Sequence, residues 1–287
     1  MTNPTQPVYI VSKGRHESMH TSRSLNRMGV DHYIAIEPQD EENYENALDE
    51  FGLRDHVTLL ILPFSNHGDG PGRARNWCWD HSIANDFIGH WVLDDNISDF
   101  YRLHKNKRIR VESGVIFKIA EDFIDRYENI PVSGFNYRFF VPPDSDRPPF
   151  LFNTRIYSCL YILNDCRHRW RGRYNEDTDL SLNVMKDGDV TCQFNIFLQG
   201  KDKTQTVKGG NSAEFYDAEG TMNKSQMLVD MHPDVCRLSW KYGRWHHHVD
   251  YSGFAKRNKP RFKPGVEESL TNEVNNYGLK LISNWQR

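Results

Sequence analysis

Four short apolar runs, each stopping on polar, charged or proline residues, constrain this chain's fold more than any other feature. Val8 to Val11 leads into Ser12-Lys13-Gly14-Arg15, Tyr33 to Ile36 into Glu37-Pro38, Val57 to Leu62 into Pro63, and Trp91-Val92-Leu93 into Asp94-Asp95-Asn96. Helical patterning fills the gaps. One helix is expected after Arg15 through Leu25, stopping near Gly29, and an acidic one from about Glu41 to Phe51. A third opens after Gly68-Asp69-Gly70-Pro71-Gly72 and carries Arg73, Arg75 and Asn76. Short β-type runs alternating with helices predict a parallel or mixed sheet flanked by helices, an α/β fold. The prolines end their strands because they cannot donate to the ladder.

Beyond residue 110 the spacing predicts a helix over Gly114 to Tyr127, extended chain over Val132 to Val141, and a strand pair within Phe152 to Leu163. A helix beginning on carboxylates follows from Glu176 to Met185, then a strand from Val190 to Leu198. At about 100–200 residues per domain, 287 residues allow one large domain or two fused ones. No internal repeat and no clear linker interrupts the chain, so one domain over residues 1–287 is expected.

Acidic residues (39) slightly outnumber basic ones (36), which excludes a globally cationic nucleic-acid binder but not local patches. No apolar run approaches the roughly 18–20 residues a membrane helix needs, and the first residues lack a signal-peptide pattern. A soluble, cytoplasmic protein without a membrane partner is expected. Cys78, Cys159, Cys166, Cys192 and Cys236 have no C-x-x-C spacing and read as buried thiols.

Asp94-Asp95-Asn96 places adjacent acids where a buried strand leaves the sheet, at the edge where ligands of open α/β sheets bind. Clustered carboxylate and amide oxygens suit hard ions such as Mg²⁺ or Mn²⁺; an Asx turn or helix cap explains the same residues. Gly70-Pro71-Gly72 lacks the Lys-Ser/Thr of a phosphate-cradling Walker loop. Even so, Arg73 and Arg75 at a helix N-terminus oppose its dipole, which suggests an anion there. Lys208-Gly209-Gly210-Asn211 offers amides and a point charge for an anion, or only a flexible turn. Asn175-Glu176-Asp177-Thr178-Asp179 sets three acids at a helix start, as a dipole-favoured cap or as a source of a general base. His246-His247-His248 cannot all face one ion, since neighbours on a strand alternate faces, and His232 competes with them as a ligand.

Two segments mix cations with aromatics. Residues 237–264 hold eight Lys/Arg and one acid, interleaved with Trp240, Tyr242, Trp245, Tyr251, Phe254 and Phe262; residues 167–173 read RHRWRGR. Cations for phosphates and aromatic faces for stacking are what DNA binding requires, although a solvated surface has the same composition.

Taken in order, these motifs resemble nucleotide-sugar glycosyltransferases of the GT-A fold. More narrowly they resemble the TET-associated glycosyltransferase family of phages, relatives of the enzyme that glucosylates hydroxymethyluracil in kinetoplastid base J. The narrower likeness rests on YIVSKGR, WVLDDN, NEDTDLSL, VKGGN and GRWHHHVD, spread over residues 9 to 250. It implies a GT-A fold with a Rossmann-like nucleotide-sugar-binding half over 1–110 and an acceptor-binding half over 111–287. It also implies an inverting transfer of a hexose from a uridine diphosphate sugar to the hydroxymethyl group of 5-hydroxymethylcytosine or 5-hydroxymethyluracil in DNA. The implied donor-binding residues are Ser12, Lys13, Gly14, Arg15, Glu37, Arg73, Arg75, Asn76, Asp94, Asp95, Lys208, Gly209 and Gly210. Asp94, Asn96 and His247 would hold Mn²⁺ or Mg²⁺. Asp177 would be the general base, with Glu176 and Asp179 orienting the acceptor or capping the helix. The family's D-x-D carries Asn96 in its third position here, an oxygen ligand without charge. If phage-encoded, the protein would work in the cytoplasm of a host cell. Two rivals share these residues: a metal-dependent nuclease or phosphohydrolase, and a non-catalytic DNA-binding module on the same fold.

Overall fold

In the computed structural model, residues 3–104, 107–143, 147–201, 217–241 and 243–266 are described. The early alternation becomes β1 (Val8–Val11), α1 (His20–Arg27), β2 (His32–Ile36), α2 (Glu41–Glu50), β3 (Val57–Ile61), α3 (Gly72–Ala84) and β4 (Gly89–Asp94). Next come β5 (Ile97–His104), β6 (Lys107–Arg110), α4 (Val115–Ile124), β7 (Val132–Tyr137), β8 (Phe150–Phe152) and β9 (Cys159–Leu163). The chain continues through α5 (Glu176–Lys186), β10 (Thr191–Lys201), α6 (Asp217–Met231), β11 (Cys236–Lys241), β12 (Arg244–Val249) and α7 (Ser252–Arg257).

Ten strands form one mixed sheet, in the order β3-β2-β1-β4-β9-β7-β10-β5-β6, with β8 also on β10. Strands β3, β2, β1 and β4 are parallel, and β9 returns antiparallel to β4. This is the expected α/β architecture, a GT-A-type mixed sheet with a Rossmann-like half. Strand order reverses between β1 and β4: β1 is followed outward by β2 and β3 on one side, and β4 lies on its other side with β9 beyond. Val11 pairs in register with Asp94 there, so the loops after both strands open into one crevice.

Side-chain alternation along the strands separates two cores. Val8, Ile10, Trp91 and Leu93 face a cluster with α1, α2 and α4, which supply Leu25, Tyr44, Leu48, Ile116 and Phe117. Tyr9 and Val92 face the other, with Cys78 and Trp79 of α3 and Leu180 and Val184 of α5. A third, small core joins α5 to the C-terminal elements through Leu182, Met185, Leu228, Cys236, Val249 and Phe254. All five cysteines are buried free thiols, as expected. Gly134 on β7 marks a close approach: a Cβ there would sit 2.1 Å from the Cys159 carbonyl oxygen of β9.

The later strands differ from expectation in two places. Phe152 and Leu163 end strands that do not pair with each other; β8 pairs with β10, and β9 with β4 and β7. Strands β5 and β6 pair with each other at the far edge of the sheet, with β5 against β10. Strand β10 runs past Leu198 to Lys201, with register shifts after Phe194 and Gly200. That extension carries Lys201 to the crevice.

Candidate active site

Two polar clusters fill the crevice, one from each strand-end acid. After β1, Ser12 Oγ donates to Asp95 Oδ2 at 2.8 Å, and Arg15 forms an ion pair with Asp95 Oδ1. Tyr44 of α2 braces the loop: its hydroxyl lies 2.6 Å from Ser12 Oγ and accepts the Arg15 N–H at 3.1 Å. Gly14 N–H donates to Asp40 at 3.0 Å. At the end of β2, Glu37 pairs with Lys13 at 3.3 Å and accepts the Asn66 N–H at 3.1 Å. The structure thus brings Ser12, Lys13, Gly14, Arg15, Glu37 and Asp95 together.

The second cluster centres on Arg75, which the fourth position of α3 points inward. Its guanidinium donates to Asp94 Oδ1 at 2.7 Å, Glu176 Oε1 at 3.0 Å and Asp177 Oδ1 at 2.5 Å, and lies 4.6 Å from the Trp170 ring. Lys201 completes the setting by donating to Asp94 Oδ2 at 2.5 Å and to Ser158 Oγ at 2.9 Å. Ser158 donates to Asp94 Oδ2 at 2.8 Å from its hydroxyl and to Asp177 Oδ2 at 3.3 Å from its amide. The Tyr137 hydroxyl is 2.6 Å from Ser158 Oγ.

Three carboxylates against two cations leave one excess negative charge in a buried site, and the protein distributes it unequally. Burial works against ionising Asp94, but Lys201 and Arg75 overcome it and hold this carboxyl well below the usual range. Asp177 goes the other way. Burial raises its pKa to about 7; Arg75 opposes the rise, while Glu176 and Asp94 reinforce it. Carboxyls pushed apart in this manner divide into a fixed charge and a proton carrier.

Other expected residues have different employment. Arg73 points to the outer face of α3, bonds Asp69 at 2.5 Å, and lines a separate cavity of about 670 Å³ with Phe64, Trp77, Trp170 and Arg171. The side chain of Asn76 closes a two-way tie to the Trp170 backbone at 2.8 and 3.0 Å, leaving its amide committed to structure. Asp179 is buried and held by Arg171 at 2.9 Å and by His232 Nε2 at 2.7 Å, so neither Asp179 nor His232 faces the crevice chemistry. Gly70 explains itself by packing: a Cβ would sit 2.5 Å from the Arg173 carbonyl oxygen. Lys208, Gly209 and Gly210 lie outside the described residues.

Asn96 Oδ1 is buried without a hydrogen-bond partner beside the two acids, and the excess negative charge favours a cation; both fit a hard ion. His247 sits on β12 near Arg155 and Lys224, and burial together with these cations lowers its pKa to about 4. Positive neighbours oppose a cation at that nitrogen. Among the described residues, no group of three or more His, Cys, Asp and Glu is arranged to hold an ion.

Of the basic segments, 167–173 is spent internally: Arg167 pairs with Asp189, His168 with Asp187, Arg169 with Asp80 and Arg171 with Asp179. Near the C-terminus, Lys263 and Arg261 likewise meet Asp125 and Glu128. Sequence reasoning missed Lys201, Ser158, Tyr137 and Tyr44; only Lys201 left a signal, as one of several lysines after a strand.

The mixed sheet, with its parallel half and a crevice at the switch point, is a GT-A-type fold. A family model described as TET-associated glycosyltransferase matches residues 6–210, and the chain belongs to that family. It is a glycosyltransferase, which decides against the nuclease and non-catalytic readings. No curated protein matches the chain. Among the described residues, no helix is long and apolar enough to cross a membrane.

Proposed function

We propose that this enzyme moves a hexose, with inversion, from a uridine diphosphate sugar to the hydroxymethyl group of 5-hydroxymethylcytosine or 5-hydroxymethyluracil in DNA. The observation that carries this reading is Asp177, a buried carboxyl at the start of α5 that shares Arg75 with Asp94 and is pushed up to about 7 by burial, while Lys201 and Arg75 hold Asp94 low. A group titrating near neutrality is suited to take a proton from an alcohol and release it to solvent.

In the proposed reaction the acceptor oxygen attacks the anomeric carbon while Asp177 takes its proton. The C–O bond to the β-phosphate breaks, and the nucleoside diphosphate leaves with the bonding pair. Glu176 and Arg75 fix the orientation of Asp177. Ser12, Lys13, Gly14, Arg15, Glu37 and Asp95 hold the nucleotide, and Lys208, Gly209 and Gly210 bind the donor phosphates. Asp94 and Asn96 would hold Mn²⁺ or Mg²⁺, which would supply neutralisation of negative charge on the diphosphate. The modified base must leave the helical stack to meet the donor.

The test incubates the protein with hydroxymethylated DNA, Mn²⁺ and a panel of nucleotide sugars, then digests the DNA and weighs its nucleosides. One nucleoside heavier by a hexose, formed with one donor, is expected. Cleaved DNA, or free sugar with no heavier nucleoside, would overturn the proposal.

A further inference from the structure

Strands β11 and β12 make a ribbon separate from the main sheet, outside the residues that match the family. Its base is anchored: Cys236 and Val249 are buried with Leu182, Leu228 and Phe254, and Ser225 of α6 donates to the Trp245 carbonyl at 3.4 Å. Its outer end is the reverse. Trp240 and Trp245 face each other across the ladder, 60% and 37% exposed, with ring centroids 5.3 Å apart and planes at 75°. Lys241 and Arg244 form the next cross-strand pair. Residues 235–249 contain no acid, and among the described residues Arg237, Lys241 and Arg244 have no carboxylate within ion-pair distance.

Indoles this exposed are uncommon on a surface that does not bind something. Like charges side by side on adjacent strands also disfavour the ribbon itself. Both features become favourable against a polyanion with flat apolar rings. A two-stranded ribbon has the width to enter a DNA groove, and aromatic side chains can fill gaps between unstacked bases.

The ribbon also connects to the catalytic cluster. His247 on β12 faces Arg155, whose guanidinium lies 4.7 Å from the Tyr157 ring. Tyr157 stacks on Tyr137 at 5.0 Å, and the Tyr137 hydroxyl reaches Ser158, which holds Asp94. This run of contacts leads from the ribbon to Asp94, in the cluster that also holds Asp177.

From this placement we infer that the Trp240–Trp245 pair is a wedge that stacks on DNA bases exposed when the target nucleotide leaves the helix, while Arg237, Lys241 and Arg244 take the flanking phosphates. The inference rests on the proposal that the acceptor is DNA and adds the surface that engages it. The test measures affinity for a fluorescein-labelled hydroxymethylated duplex over a range of salt, for wild type, Trp240→Ala/Trp245→Ala and Lys241→Glu/Arg244→Glu. Thermal melts establish folding. Loss of the indoles is expected to weaken binding at least about tenfold, with Trp→Phe at both sites restoring most of it. Charge reversal is expected to lower the slope of log affinity against log salt by about 2. The readout is binding, so the wedge is judged even if no sugar is ever transferred. Unchanged affinity and slope in both folded variants would overturn it. So would a shift of the variants from dimer to monomer in sedimentation, which would make the ribbon a contact between copies.

Discussion

Arg75 joins three acids from two distant parts of the chain, and its own charge is what permits them to be neighbours. Removing one partner from a buried ionic network strands the others without compensation, at a cost of roughly 3–5 kcal/mol. Arg75→Ala should lose stability on that scale in urea unfolding, and transfer with it; a change below about 1 kcal/mol would mean that solvent already compensates the acids. The pKa of Asp177 makes a second prediction. Its base form is the lesser one below pH 7 and predominates above, so transfer at saturating substrates should rise about tenfold per pH unit up to roughly 7 and then level. A profile flat from pH 5 to 9 would remove Asp177 from the proton transfer. Asp94 and Asp177 were legible in the sequence because strand ends and helix starts are where local chemistry exposes acids. Lys201, Ser158 and Tyr137 were not, since their roles depend on contacts made across the sheet. Asp179 and His232 looked like site residues by type, and only packing shows them paired with each other.

At the scale of elements, the first four strands follow from their apolar runs, and the later ones do not. Strands β5 and β6 mix polar and apolar residues, ISDFYRLH and KRIR, a pattern that reads as loop until β10 supplies a partner for β5. The register shifts of β10 bend it, and no local signal separates its last residues from the polar segment that follows. Elements also carry an acid-sensitive lock. On β2, His32 lies 2.8 Å from the Val30 carbonyl oxygen and 2.7 Å from Ser22 Oγ of α1; on β4, His90 lies 2.8 Å from Asn164 Oδ1. Burial lowers both pKa values from 6.5 to about 4. The unfolded chain therefore binds more protons than the folded one between these values. Stability is fully present above about pH 6.5 and should fall as pH drops toward 4. Thermal melts should show this fall, and His32→Gln should reduce it; equal slopes in the two proteins would place the acid sensitivity elsewhere.

Across the whole molecule, one sheet brings Ser12 to Arg15, the strand-end acids Asp94 and Asp95 and the helix-borne Glu176 and Asp177 to one crevice, with an aromatic ribbon outside the sheet. The parallel half was predictable from sequence, since strand order and crossover rules leave few alternatives. The ribbon was visible only as composition, because cations absorbed by internal acids and cations left exposed look the same in a sequence. The proposed ion gives a prediction at this scale: chelation with EDTA should weaken UDP binding in calorimetry, and Mn²⁺ should restore it. Affinity indifferent to chelation would leave Arg75 and Lys201 as the cations of the site.

The central claim, that a separate acid prepares the acceptor while the strand-end cluster grips the donor, is tested most directly by Asp177→Asn. Transfer to hydroxymethylated DNA and UDP affinity should be measured on the same folded preparation. Transfer lost by at least about a hundredfold with UDP affinity within about threefold is expected. Transfer retained, or both properties lost together, would contradict it.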